Sequence, residues 1–82
     1  MRLEYDPKYN IAYIRFLEGP ARDLQTLHVS EELNIDMTPD GHIYGLELLN
    51  ANEQLFRQNA GKLVIENRHS GQTETISLVE EA

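Results

Sequence analysis

The sequence predicts an α+β domain, mainly an antiparallel β-sheet meander with one short helix and a C-terminal β-hairpin. Three observations lead to this class. Several short segments alternate apolar and polar residues, as half-buried strands do. Pro, Gly, Asp and Asn recur between these segments, which is typical of tight turns. Residues Asn50–Glu53 have the composition of a helix start.

The length of 82 residues predicts one small domain covering 1–82. A chain this short buries a limited share of its surface, so we expect a thin core. Hydrophobic residues make up 40% of the chain, and Gly and Pro together number eight (5 and 3). That composition is typical of a folded domain and not of a disordered chain.

The first two strands are predicted to form a hairpin. Residues 2–6 alternate, and Pro7 ends this strand because it has no amide hydrogen to donate. Residues 10–17 form the second strand, whose two faces both carry apolar groups. One face holds Ala12, Ile14 and Phe16, and the other holds Ile11, Tyr13, Arg15 and Leu17.

The middle of the chain contains the clearest alternation. Residues 18–23 form a loop, and residues 24–29 show a weaker strand pattern. Residues 33–38 alternate strictly, and a Thr-Pro-Asp-Gly turn over 38–41 leads to a return strand over 42–49. Gly45 lies inside this strand, where we expect it to permit a bulge or close packing.

A short helix and a second hairpin follow. We expect Asn50 and Glu53 to cap the helix reciprocally, Leu55 and Phe56 to face the sheet, and Gly61 to end the segment. Two strands then pair through a turn at Ser70-Gly71, with Leu63 and Ile65 opposite Ile76 and Leu78. The tail 79–82 is expected to fray.

One helix covers only part of one sheet face, so the second face of the sheet needs a cover. A second copy of the chain is the expected cover, since symmetric homodimers are the commonest oligomers. The alternative is that the C-terminal hairpin folds back over the Tyr13 and Leu17 side.

The charge balance excludes several classes of partner. Seven basic residues stand against fourteen acidic ones, for a net charge of -7. Such a chain is poorly suited to nucleic acids or anionic membranes, and it favours either simple solubility or a basic protein partner. There is no cysteine and no long apolar run, and we expect a cytoplasmic protein.

Residues 36–47 also fit a calcium-binding loop. Asp36, Thr38 and Asp40 occupy loop positions one, three and five, and Glu47 occupies position twelve. The alternation before this segment and its Pro-Asp-Gly turn favour a hairpin instead. A calcium-binding module at 36–47 is kept as an alternative function, and no metal ligand or cofactor is assigned.

No convergent catalytic set is visible, so we expect no enzymatic activity and assign no catalytic residue. The histidines His28, His42 and His69 match no metal-ligand spacing. A small enzyme using Asp36, His42 and Glu47 is the remaining alternative.

Five short motifs occur in order: Tyr5-Asp6-Pro7, Ala12-Tyr13-Ile14-Arg15, Asn34-Ile35-Asp36, Asp40-Gly41 and Gly45-Leu46-Glu47-Leu48-Leu49. Over residues 2–52 the chain thereby resembles a small bacterial family catalogued as domain of unknown function 2283. The resemblance implies a compact β-rich domain with no established catalysis, and some members resemble the antitoxin half of a toxin–antitoxin pair. It divides the chain into a family-like core, 2–52, and a helix and hairpin extension, 53–82.

The chain departs from the family pattern after the Asp-Pro step. Family members often carry an acid and small residues there, where this chain has Tyr9, Asn10 and Ile11. Taken together, the sequence predicts a small protein-interaction domain, homodimeric and antitoxin-like, with a basic protein as the expected partner and no nucleic acid or membrane.

Overall fold

The computed structural model describes residues 1–78, and the tail 79–82 lies outside the described residues. Its elements in chain order are β1 (Arg2–Asp6), β2 (Ile11–Arg15), β3 (Gln25–Ser30), β4 (Leu33–Met37), β5 (Ile43–Leu49), a π-helical turn (Glu53–Arg57), a 3-10 turn (Asn59–Gly61), β6 (Lys62–Glu66) and β7 (Thr73–Ser77). The predicted α+β class, with an antiparallel sheet, a short helical segment and a C-terminal hairpin, is confirmed.

Five strands form one antiparallel sheet in the order β1-β2-β5-β4-β3. Strands β3, β4 and β5 follow one another as a meander, but β2 pairs with β5 instead of with β3. The first hairpin is therefore added to the open edge of the meander. This long-range pairing brings residues 11–15 beside residues 45–49.

The turns of the sheet form as their residues predict. Asp6 accepts hydrogen bonds from the backbone amides of Lys8 and Tyr9 at 3.0 and 3.3 Å, which closes the turn between β1 and β2. The amide of Gly41 donates to the Thr38 carbonyl at 3.0 Å, with Gly41 at a φ of 92°. Residues 36–47 are thus two strands and a tight turn, as the hairpin interpretation predicts.

The register divides the sheet into two unlike faces. Residues paired across antiparallel strands point to the same side. A row that crosses all five strands on one side, here called the apolar row, consists of Leu3, Ile14, Leu46, Ile35 and Leu27. The opposite side carries polar and charged residues along most of its length, with the apolar pair Ile11 and Leu49 beside Asp6 at one end.

The core is thin, as the chain length predicts. Among the apolar residues described, only Ala12, Tyr44 and Ala51 are buried, and no large side chain is fully buried. Phe56 of the helical segment packs against Tyr5, with ring centroids 5.1 Å apart. This contact confirms that Phe56 faces the sheet, at one end of the apolar side.

The helical segment differs from the expected capped helix. Asn50 has a φ of 57°, in the left-handed region, and its side-chain amide donates to Glu32 at 3.0 Å. No side-chain cap stabilises the start of the π-helical turn, so the predicted reciprocal cap of Asn50 and Glu53 is wrong. The Asn50 side chain instead bonds to residues of the sheet and its turns. The Gln54 side chain donates to the Glu32 and Leu49 carbonyls.

The C-terminal hairpin of β6 and β7 forms its own two-stranded sheet. Leu63 pairs with Ile76, and Gly71 takes a φ of 80° in the turn. All ten strand residues are exposed, and each strand packs extensively only against the other. Over residues 1–78 the hairpin does not fold back onto the five-stranded sheet, which corrects that alternative. Within the same range no helix has the length and apolar character needed to cross a membrane.

Candidate functional site: the polar face of the sheet

Two rows of side chains cross the sheet on the side opposite the apolar row. The first row contains Glu4, Tyr13, Glu47, Asn34 and His28, and the second contains Arg2, Arg15, Gly45, Asp36 and Thr26. These ten residues are called the polar face. They come from all five strands, so the face exists only when the sheet is assembled.

Asp36 is held at the centre of the polar face by two hydroxyl groups. Tyr13 donates to Oδ2 at 2.7 Å, and Thr26 donates to Oδ1 at 2.6 Å. Gly45 makes the first bond possible, because a Cβ at this position would lie 2.5 Å from the Tyr13 ring. The sheet also has an irregular register beside Asp36. The predicted close packing at Gly45 is confirmed.

The environment keeps the Tyr13 phenol protonated. Burial raises the pKa of Tyr13 well above its ordinary value of 10, and the hydrogen bond to Asp36 and the charge of Asp36 raise the pKa further. A phenolate beside a carboxylate in a partly buried position is unfavourable. Tyr13 is therefore a hydrogen-bond donor that positions Asp36, and not a base at neutral pH.

Glu47 is the acceptor at one end of a second series of hydrogen bonds, in the neighbouring row. The Asn34 amide donates to Glu47 Oε1 at 2.9 Å, and Asn34 Oδ1 lies 2.8 Å from His28 Nδ1. Since Asn34 uses its nitrogen for Glu47, its oxygen is the acceptor, and His28 carries its proton on Nδ1. Two carboxylates are thus oriented on one face, each by fixed donors.

The structure separates the residues of the two alternative sites. Asp36 and Glu47 share the polar face, but His42 lies at the hairpin tip, where its Nε2 is 3.4 Å from Asp40. A hydrogen bond from Thr38 and the nearby His42 lower the pKa of Asp40. Over residues 1–78, no group of three His, Asp or Glu side chains could hold a metal ion. Within these residues the carboxylates of the calcium loop therefore form no metal-binding group, and the ion-pair partner of His42 is Asp40.

Sequence reasoning missed several members of the polar face, namely Thr26, His28 and Asn34. Alternation over 33–38 already places Asn34 and Asp36 on the side away from Leu33 and Ile35. The alternation does not give the register between strands, and only that register brings Tyr13 and Glu47 beside Asn34 and Asp36.

The same register corrects which side of the sheet needs a cover. The Tyr13 side was expected to be apolar and unpartnered, whereas Tyr13 is bonded to Asp36 within a polar network. Most apolar residues of the sheet instead lie on the Ile14 side, and the pair Ile11 and Leu49 lies on the Tyr13 side.

Asn10 has a structural role at the edge of the sheet. Its φ of 58° is in the left-handed region. Its side chain donates to Asn50 Oδ1 at 3.2 Å and accepts from the Asn52 amide at 2.5 Å. Asn10 therefore joins the first turn to the helical segment.

A family model described as Protein of unknown function (DUF2283) matches residues 2–52. The chain belongs to this family. The matched range contains all five strands of the main sheet and the whole polar face, and it ends just before the π-helical turn. Neither the curated proteins nor the solved structures provide a significant match. Of the motifs that carry the resemblance, Tyr13, Asn34, Asp36, Gly45 and Glu47 meet on the polar face.

Proposed function

We propose that this DUF2283 member is a non-catalytic protein-interaction domain that binds a basic protein segment through its polar face. The observation that carries the proposal is the pair of oriented carboxylates, Asp36 and Glu47, on one open sheet surface. Each is held by neutral donors, so its negative charge is not cancelled by a salt bridge within the face.

The chemistry of these carboxylates suits cationic side chains. A carboxylate that is fixed in advance binds an arginine or lysine with less loss of side-chain freedom. Among the described residues, Glu47 Oε2 takes no hydrogen bond and can accept one from a partner. The net charge of -7 also accelerates the approach of a basic partner.

The most concrete form of this function is an antitoxin-like neutraliser of a basic toxin in the cytoplasm. The family resemblance suggests it, and the acidic surface supports it. A polar sheet face would then cover the basic surface of the toxin. We propose the cytoplasm as the compartment of this protein.

Affinity capture from the native cells tests the proposal with two charge-matched variants. The wild-type chain should retain one basic protein in stoichiometric amount. Asp36→Asn combined with Glu47→Gln should lose it, because the two oriented carboxylates of the polar face are neutralised. Glu66→Gln combined with Glu74→Gln changes two exposed acids of the hairpin and should retain it. Both double variants remove two negative charges.

Two outcomes would overturn the proposed function. One is the absence of any basic protein in the wild-type capture. The other is an equal loss in both double variants, which would show that net charge alone attracts the partner. Circular dichroism of the purified variants establishes that each is folded.

A further inference from the structure

Two apolar surfaces of this chain are incompletely covered, and they do not meet within it. The first is the middle of the sheet's apolar side, along the apolar row. Phe56 covers one end at Tyr5, and the loop after β2 covers the other, where the Tyr44 hydroxyl donates to the Gly19 carbonyl at 2.9 Å. Between them, no strand or helical segment of residues 1–78 packs extensively over the row. Leu27, at the edge strand, is 45% exposed, and the other four residues of the row are half-buried.

The second uncovered surface is one side of the C-terminal hairpin. Leu63 and Ile76 are directly paired, and Ile65 lies on the same side two residues along β6, opposite Glu74. All three are exposed. An isolated two-stranded hairpin is at best marginally stable in water, so this side needs an apolar surface to pack against.

Residues 59–61 connect the helical segment to the hairpin through a sterically constrained backbone. Asn59, Ala60 and Gly61 have φ values of 56°, 50° and 73°, three successive residues in the left-handed region. Gly61 is buried beneath Phe56, and a Cβ there would overlap the Phe56 ring. Because Phe56 packs on Tyr5, the contact between Gly61 and Phe56 links the start of the hairpin to the sheet.

The accessible surface and radius of gyration of the chain leave enough exposed area for a second copy to cover. Its accessible surface is 6495 Å², whereas a compact chain of 9.4 kDa exposes about 5,000 Å². Its radius of gyration is 14.3 Å, against about 12 Å for a compact domain of this length. The excess of about 1,500 Å² exceeds the roughly 800 Å² that each partner buries in a standard interface.

We propose that two copies form a twofold dimer in which the hairpin of each copy lies across the apolar row of the other. Reciprocal exchange covers both surfaces of both chains and closes the assembly. The interface involves the Ile14 side of the sheet, so it leaves the polar face free. The proposal does not depend on the basic partner.

A matched pair of substitutions tests the exchange. Ile65 and Val64 are each 47% exposed on opposite sides of the same strand. Light scattering and sedimentation equilibrium should give a wild-type mass of twice 9.4 kDa. Ile65→Glu should weaken the dimer at least about tenfold, equivalent to about 1.4 kcal/mol. Val64→Glu should leave the dissociation constant unchanged.

Cross-linking distinguishes exchange from folding back. The chain has no cysteine, so Ile65→Cys and Leu27→Cys can be introduced singly. When the two single variants are mixed and oxidised, a disulfide between hairpin and sheet can form only between chains. We expect this heterodimer to be the main product.

Three results would overturn the exchange. A mass of one chain at every concentration would exclude the dimer. A dimer that Ile65→Glu leaves intact would place the interface elsewhere. A double cysteine variant that closes within a single chain, together with no cross-link between the single variants, would show that the hairpin covers its own sheet.

Discussion

The polar face depends on the absence of a side chain at Gly45, because the Tyr13 ring lies in that space. We predict that Gly45→Ala destabilises the protein by about 1–3 kcal/mol, because the added Cβ overpacks against the Tyr13 ring. In a Tyr13→Ala background the same change should be neutral or stabilising, since alanine is otherwise preferred over glycine in a strand. Urea unfolding of the four chains measures the coupling. An equal loss in both backgrounds would contradict the assigned contact.

Tyr13→Phe isolates the hydroxyl group from the ring. We predict a loss of about 1 kcal/mol at pH 7, because Asp36 loses one of its two donors. The remaining Thr26 bond should keep the carboxylate in place. Chemical denaturation of the two proteins at one pH provides the measurement, and an unchanged midpoint would show that the bond contributes nothing net.

The raised pKa of Tyr13 predicts a dependence of stability on alkaline pH. The folded state holds the phenolic proton more tightly than the unfolded state, whose pKa is about 10. The stabilisation is therefore fully present below pH of about 10 and is lost as the pH rises towards the folded pKa. The urea midpoint of wild type should fall more steeply than that of Tyr13→Phe as the pH rises above about 10. Tyr9→Phe, at a 65% exposed turn position, should follow wild type.

At the scale of elements, the sheet and the helical segment are joined through Asn10. Asn10→Ala removes the side-chain bonds to Asn50 and Asn52 and places alanine in the left-handed region. We predict a loss of about 1–3 kcal/mol. Asn10→Asp keeps an oxygen that can accept from the Asn52 amide, so its loss of stability should be smaller. Asn10→Gly should avoid only the cost of placing alanine in the left-handed region. Thermal or urea unfolding ranks the three variants, and a larger loss for Asp than for Ala would contradict the assigned acceptor role.

The elements also show what sequence alone can predict. Strict alternation and turn-forming residues are enough to predict β4, the turn after it and β5, because both signals are local. The pairing of β2 with β5 involves residues thirty or more positions apart, and no local signal specifies it. For the same reason Asp36 and Glu47 could be named as candidates, while their donors Tyr13, Thr26 and Asn34 could not.

The capping prediction failed because of a competing tertiary contact. Asn50 and Glu53 have suitable residue types and spacing for a reciprocal cap. In the folded chain the Asn50 side chain bonds to Asn10 and Glu32. Propensity and spacing describe an isolated helix start, and here the edge of the sheet lies close enough to take the same side chain.

For the whole molecule, the two proposed interactions should respond to salt in opposite directions. Each chain carries a charge of -7, so two copies repel each other, and screening of that repulsion should strengthen an apolar exchange dimer. Binding of a basic partner by the polar face should weaken as salt screens the attraction. Sedimentation equilibrium and partner capture at about 50 mM and about 500 mM NaCl measure both effects on the same preparation. A dimer that dissociates at the higher salt would indicate that ion pairs, and not the apolar row and the hairpin, hold the two copies together.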